Sequence, residues 1–161
     1  MNSFHDIAAA FRIFCFVLAG FCLTASPVAA EATVTQIAQL MREHHVGDLI
    51  VGQQQEGRLL PEGIVTDRDL VVRVLAGDGG PATPTAAVLM SSPLIHAHED
   101  EFVYEAIGRM QTNGIRRLPV LDSSGFLVGM LTLDDVVEFL AEELTQIARV
   151  APRQIKFKRP T

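Results

Sequence analysis

Apolar residues recur at helical spacing over Ile37, Leu40 and Met41, and again over Ala106, Ile107 and Met110. Each helical face runs into a β-type stretch, at residues 46–51 and 115–120. A turn follows, at Glu56-Gly57 in one case and Ser123-Ser124-Gly125 in the other, and then a second short strand. Those strands end alike, in Gly63-Ile64-Val65-Thr66-Asp67-Arg68-Asp69 and Gly129-Met130-Leu131-Thr132-Leu133-Asp134-Asp135, and each leads into a helix. The pattern predicts an α+β fold in which a helix-strand-strand-helix unit occurs twice.

Repeat one is assigned residues 31–79, with Thr33 as N-cap of its first helix and His44-His45 closing that helix. Residues 80–88 form a link, and repeat two covers residues 89–145. The first helix of repeat two opens after Glu99-Asp100-Glu101, a charge run read as a solvated face. Its last helix runs from Leu133 to about Val150, with Val136, Val137, Leu140, Leu144 and Ile147 forming an apolar stripe for core or dimer contact. Residues 146–161 are a basic tail, in which Arg153, Lys156, Lys158 and Arg159 are read as solvated, with a docking contact as the alternative. The strand-to-strand connection 52–61 is three residues longer than its counterpart, so the halves are related without being interchangeable.

With 161 residues, 48% of them hydrophobic, the chain can fill a core without staples. A net charge of -6 argues against a general nucleic-acid binder, and the absence of Trp with only 6% aromatic residues removes stacking platforms for single strands. Cys15 and Cys22 are the only cysteines, which leaves no thiol beyond the N-terminal stretch for a zinc or redox site. That stretch is apolar from Ile13 to Leu23, follows Arg12, and reaches Pro27 ahead of Val28-Ala29-Ala30. It reads as a secretory signal cleaved after Ala30, giving a periplasmic or secreted protein with no stable membrane span after processing. The alternative takes Thr24-Ala25-Ser26-Pro27-Val28 as an opening strand, with Ser91-Ser92-Pro93-Leu94-Ile95 as its counterpart, in a cytoplasmic protein.

The repeated Thr-x-x-Asp sits where a strand joins a helix. Free backbone N–H groups at the helix start suit a phosphate, the carboxylate can accept bonds from the two hydroxyls of a ribose, and apolar strand residues offer a slot for a base. This describes a nucleoside or nucleotide site. A Thr or Asp at a helix start is equally an N-cap, and the residues alone leave both readings open.

The stretch from about Glu31 to Leu144, some seven-tenths of the chain, resembles a tandem pair of CBS domains, a Bateman module. The resemblance rests on Met41-x4-Val46-Gly47-x-Leu49-Ile50-Val51, on Met110-x4-Ile115-x2-Leu118-Pro119-Val120, and on the two Thr-x-x-Asp motifs. It implies two pseudo-twofold-related units with an added linker strand, packed as one module, a disc-like homodimer, and adenosyl ligands (AMP, ADP, ATP or S-adenosylmethionine) in the cleft between units. Thr66 with Asp69 and Thr132 with Asp135 fall on the family's ligand-contacting positions. Ahead of Thr33 the chain departs from the pattern, because the signal-like segment stands where an opening strand belongs. Arg68 beside Asp69 predicts that the first site takes the more phosphorylated ligand, with Arg116 or Arg117 reaching it from the facing strand. Those two arginines read equally as a solvated charge and a strand-edge guard.

His96-x-His98 lacks a third metal ligand at recognisable spacing, so no metal site is expected. No catalytic motif occurs, and the chain reads as a non-enzymatic sensor acting on a separate regulated protein. The alternative is an interaction or structural dimer whose ligand sites are vestigial.

Overall fold

The computed structural model describes residues 28–77 and 84–149. The basic tail residues Arg153, Lys156, Lys158 and Arg159, and most of the signal-like segment, lie outside them. In chain order the elements are α1 (Val34–His44), β1 (Asp48–Gln55), β2 (Arg58–Thr66), α2 (Asp67–Asp69, continued by the wide π-helical turns of Leu70–Leu75) and α3 (Ala86–Leu89). Then come β3 (Ala97–His98), α4 (Val103–Asn113), β4 (Arg117–Leu121), β5 (Leu127–Thr132) and α5 (Leu133–Ala148). The α+β architecture with two repeats is thus the one the pattern predicts.

Helix α1 starts as expected: Gln36 N–H donates to Thr33 Oγ1, and Thr33 N–H donates to Gln36 Oε1 at 2.8 Å. It ends with His45 in the left-handed region at φ 54°, where α4 ends with Gly114 at φ 63°. Each repeat buries its helix face on its own hairpin. Val28, Ile37, Met41, Leu49, Val51, Val65, Ala86 and Leu89 make the first core; Ala97, Ala106, Met110, Leu118, Val120, Leu131 and Val136 make the second. No polar or charged side chain is buried among the described residues.

Three placements differ from the sequence reading. The longer 52–61 connection is no loop: β1 and β2 extend as a hairpin, closed by Glu56 and Gly57 at φ 52° and 77°. A bulge at Val51/Gly52 brings Leu60 O within 2.3 Å of where a Cβ on Gly52 would stand, so only glycine fits. Second, Ala86 of the link and Leu89, the first residue assigned to repeat two, are buried in the first core, and Ala86 and Ala87 N–H donate to the carbonyls of Ala32 and Ala30. Third, Glu101 belongs to no solvated face. It is 11% exposed and accepts from His98 N–H and from Arg109, which also holds His96 O.

The opening-strand alternative is right about Val28 and wrong about its counterpart. Val28 bridges Val51 in parallel, exchanges backbone bonds with Ile50 and Gly52, and is 2% exposed. The same parallel contact in the second repeat is Ala97 against Val120, in β3. Residues 91–95 instead continue the linker, with Ser91 bridging Ile64 of β2. Gly63 allows that approach, since a Cβ there would meet Met90 Sδ at 2.6 Å and Ser91 O at 2.9 Å.

Starting the chain at Glu31 removes Val28 from the core and should cost about 2–3 kcal/mol against a chain starting at Pro27, measured by urea unfolding. His45→Gly, which copies the second repeat's cap, should raise stability by roughly 0.5–1 kcal/mol in the same assay.

Candidate functional site

Each motif forms at the end of the second strand of its hairpin. The backbone of Thr66 lies opposite Asp48 in the β1–β2 register, and Thr132 lies opposite Arg117 in the β4–β5 register. The chain then turns into a helix because the first helical N–H finds a carbonyl on the neighbouring strand's lead-in. Asp67 N–H donates to Gly47 O at 2.9 Å, and Leu133 N–H to Arg116 O at 2.8 Å.

Within each motif the threonine and aspartate close a reciprocal box. Asp69 Oδ2 accepts from Thr66 N–H at 2.9 Å and from the Thr66 hydroxyl at 2.6 Å, while Asp69 N–H donates to Thr66 Oγ1 at 3.2 Å. The second motif repeats this: Asp135 Oδ2 accepts from Thr132 N–H at 3.0 Å and from its hydroxyl, and Asp135 N–H donates back at 3.2 Å. The cap reading of the sequence is therefore correct as structure. Both carboxylates are half-buried, and among the described residues neither Oδ1 accepts a bond, so each keeps an acceptor for a hydroxyl donor.

The two hairpins meet along β2 and β5. At the turn end Arg58 of the first pairs with Asp122 of the second and lies 4.1 Å over the Phe126 ring. At the motif end Arg117 reaches across to Asp48, joining the positions opposite Thr132 and Thr66. Thr66, Asp69, Thr132 and Asp135 thus flank one inter-repeat contact.

Of the predicted arginines, Arg68 stands on the exposed first turn of α2 beside Asp69. Arg117 does reach the first repeat, but to Asp48 rather than to an open anion site. Arg116 stays with its own repeat: its carbonyl holds Leu133, and its exposed guanidinium pairs with Asp134 at 3.2 Å. Asp48 was missed. Its signal was available in the alignment of Val46-Gly47-Asp48-Leu49 with Ile115-Arg116-Arg117-Leu118, where equivalent positions carry opposite charges.

His96 and His98 touch edge to face, with ring centroids 5.0 Å apart, and His96 Nδ1 lies 3.0 Å from Leu94 O. Among the described residues no three His, Cys, Asp or Glu side chains converge on one point, and no helix is long and apolar enough to cross a membrane.

The CBS domain family matches the chain at residues 27–76 and 86–142, the two halves just described. The chain belongs to the CBS-domain family, as a tandem pair. It is 38% identical over 116 residues to an uncharacterized protein of Methanopyrus kandleri, covering 72% of this chain and 56% of that relative, so it spans little more than half the relative's length. It is 35% identical over 115 residues to hypoxic response protein 1 of Mycobacterium tuberculosis, covering 71% and 78% of the two chains. Among solved structures, a CBS domain pair in complex with 5′-methylthioadenosine and S-adenosylmethionine superposes with a TM-score of 0.58 at 26% identity, over 78% of this chain and 97% of that one.

Because the motif residues are caps, Thr66→Ala and Thr132→Ala should each destabilise the ligand-free protein by about 1 kcal/mol in urea unfolding. Thr→Ser at either position should recover most of the loss, since the hydroxyl carries the bonds.

Proposed function

We propose that the protein is a non-enzymatic regulatory module that binds an adenosyl ligand at Thr66 with Asp69, at Thr132 with Asp135, or at both, in the cleft between its repeats. The observation that carries this reading is the duplication of the Thr–Asp box with the same bonds at both strand–helix joins, on either side of one inter-repeat contact. One cap explains one helix. Two caps that each keep an unused carboxylate oxygen beside a seam describe a ligand site shared by two halves. The ligand class is taken from the family resemblance and from the related pair that holds 5′-methylthioadenosine and S-adenosylmethionine; AMP, ADP and ATP belong to the same class. Arg68, Arg116 and Arg117 are the cations within the two joins.

A ligand bridging both halves changes the angle between them only by binding two arrangements unequally, and a separate regulated protein reads the change. The same reading assigns a homodimer. Val137, Leu140, Leu144 and Ile147 form an uncovered row on α5, the last two 66% exposed, and Val71 on the equivalent helix of repeat one is also exposed. An apolar surface duplicated by the internal repeat suits pairing with a second copy about a twofold axis. The place of Val28 in the core favours the cytoplasmic alternative over processing at Ala30. The second functional reading, an interaction module with vestigial sites, draws on the box being complete without ligand.

Thermal unfolding with and without AMP, ATP and S-adenosylmethionine separates the two. At a hundredfold excess over its Kd, a binding ligand should add about 2.7 kcal/mol of stability. Asp69→Asn and Asp135→Asn should each reduce that gain at one site. A well-folded protein indifferent to all three ligands would favour the vestigial reading.

A further inference from the structure

We infer that Asp48 sets the charge class of the ligand, by holding Arg117 so that the cleft favours adenosyl groups with a neutral or cationic 5′ substituent over oligophosphates. This rests on the adenosyl reading above and goes beyond it by naming a specificity residue.

Arg117 and Asp48 occupy equivalent positions in the two repeats, opposite Thr132 and Thr66, and each is the other's partner across the seam. Asp48 is 14% exposed and Arg117 41%, so the carboxylate is the better shielded partner and the guanidinium the one a ligand meets. A phosphate at either join would draw on Arg117 for its bidentate bonds, and must compete for it with a carboxylate already in place. The surroundings strengthen the competition. The joins carry Asp48, Asp67, Asp69, Asp134 and Asp135 against Arg68, Arg116 and Arg117, and Arg116 is already engaged by Asp134. With acidic side chains in the majority, each phosphate added to a ligand meets more repulsion, whereas a thioether carries no charge to repel and a sulfonium is attracted. Arg68, expected to draw the more phosphorylated ligand to the first site, shares its join with Asp48 and Asp67.

The test is isothermal titration of the full chain with adenosine, S-adenosylmethionine and ATP. Wild type should bind ATP no more tightly than adenosine. Asp48→Asn, which keeps size and removes charge, should improve ATP affinity about tenfold relative to adenosine. Adding Arg117→Gln to it should abolish that gain, because the freed guanidinium is what the phosphates use. Tenfold preference of wild type for ATP over adenosine would overturn the inference without any variant. So would an unchanged ATP-to-adenosine ratio in Asp48→Asn, or a gain that survives in the double variant. Failure of wild type and Asp48→Asn to bind all three ligands would overturn the adenosyl reading itself and this inference with it, an outcome distinct from binding with unaltered ratios.

Discussion

The reciprocal box between a threonine and the aspartate three residues on is the constraint from which the rest of this structure follows. A strand that ends against a helix leaves the first N–H groups of that helix without partners. Here Thr66 and Thr132 satisfy one such donor each, and the carboxylates of Asp69 and Asp135 return the bond to the threonine N–H. The exchange fixes the direction in which the helix leaves the sheet, and so brings Met110, Leu131 and Val136 together in one repeat and Met41, Val65 and Leu70 in the other. It also holds two polar groups half-buried at a seam in fixed orientation. The box uses Oδ2 of each carboxylate and leaves Oδ1 without a bond among the described residues.

The seam between repeats is built differently from the repeats themselves. Ion pairs stand at its two ends, Arg58 with Asp122 and Arg117 with Asp48, and β2 meets β5 between them. Partly exposed pairs contribute on the order of 0–1 kcal/mol, so the pairs register the hairpins more than they hold them together. Each hairpin's own core is closed by its helix, and the first core is further closed by Val28 and by Ala86 and Leu89 of α3.

Much of the fold was legible from single positions. The helical faces at Ile37, Met41, Ala106 and Met110, the turn at Glu56-Gly57 and the Thr33 cap all stand where periodicity and local chemistry put them, because each depends on neighbours within a few residues. The duplicated Thr-x-x-Asp was legible as a candidate site for the same reason. Val28 was harder to read: its apolar neighbours in sequence fit a cleavage signal as well as a strand, and its parallel contact with Val51 leaves no local mark in the chain. Glu101 looked like one charge of a solvated run, and only the fold brings Arg109 to it.

Local pattern by itself determined that this protein has two like halves, where their helices and strands lie, and that each half ends a strand in the same polar pair. Those features are encoded by residues close together in the chain, and repetition makes them stand out. Tertiary structure decided which partners the charges take. Arg117 and Asp48 are far apart in sequence, and although equivalent positions of the repeats carry opposite charges, only hairpins lying side by side make them partners. The charge balance at the joins, and the coverage of the first core by segments on both sides of it, are properties of chain segments meeting in space; spacing along one segment carries no record of them.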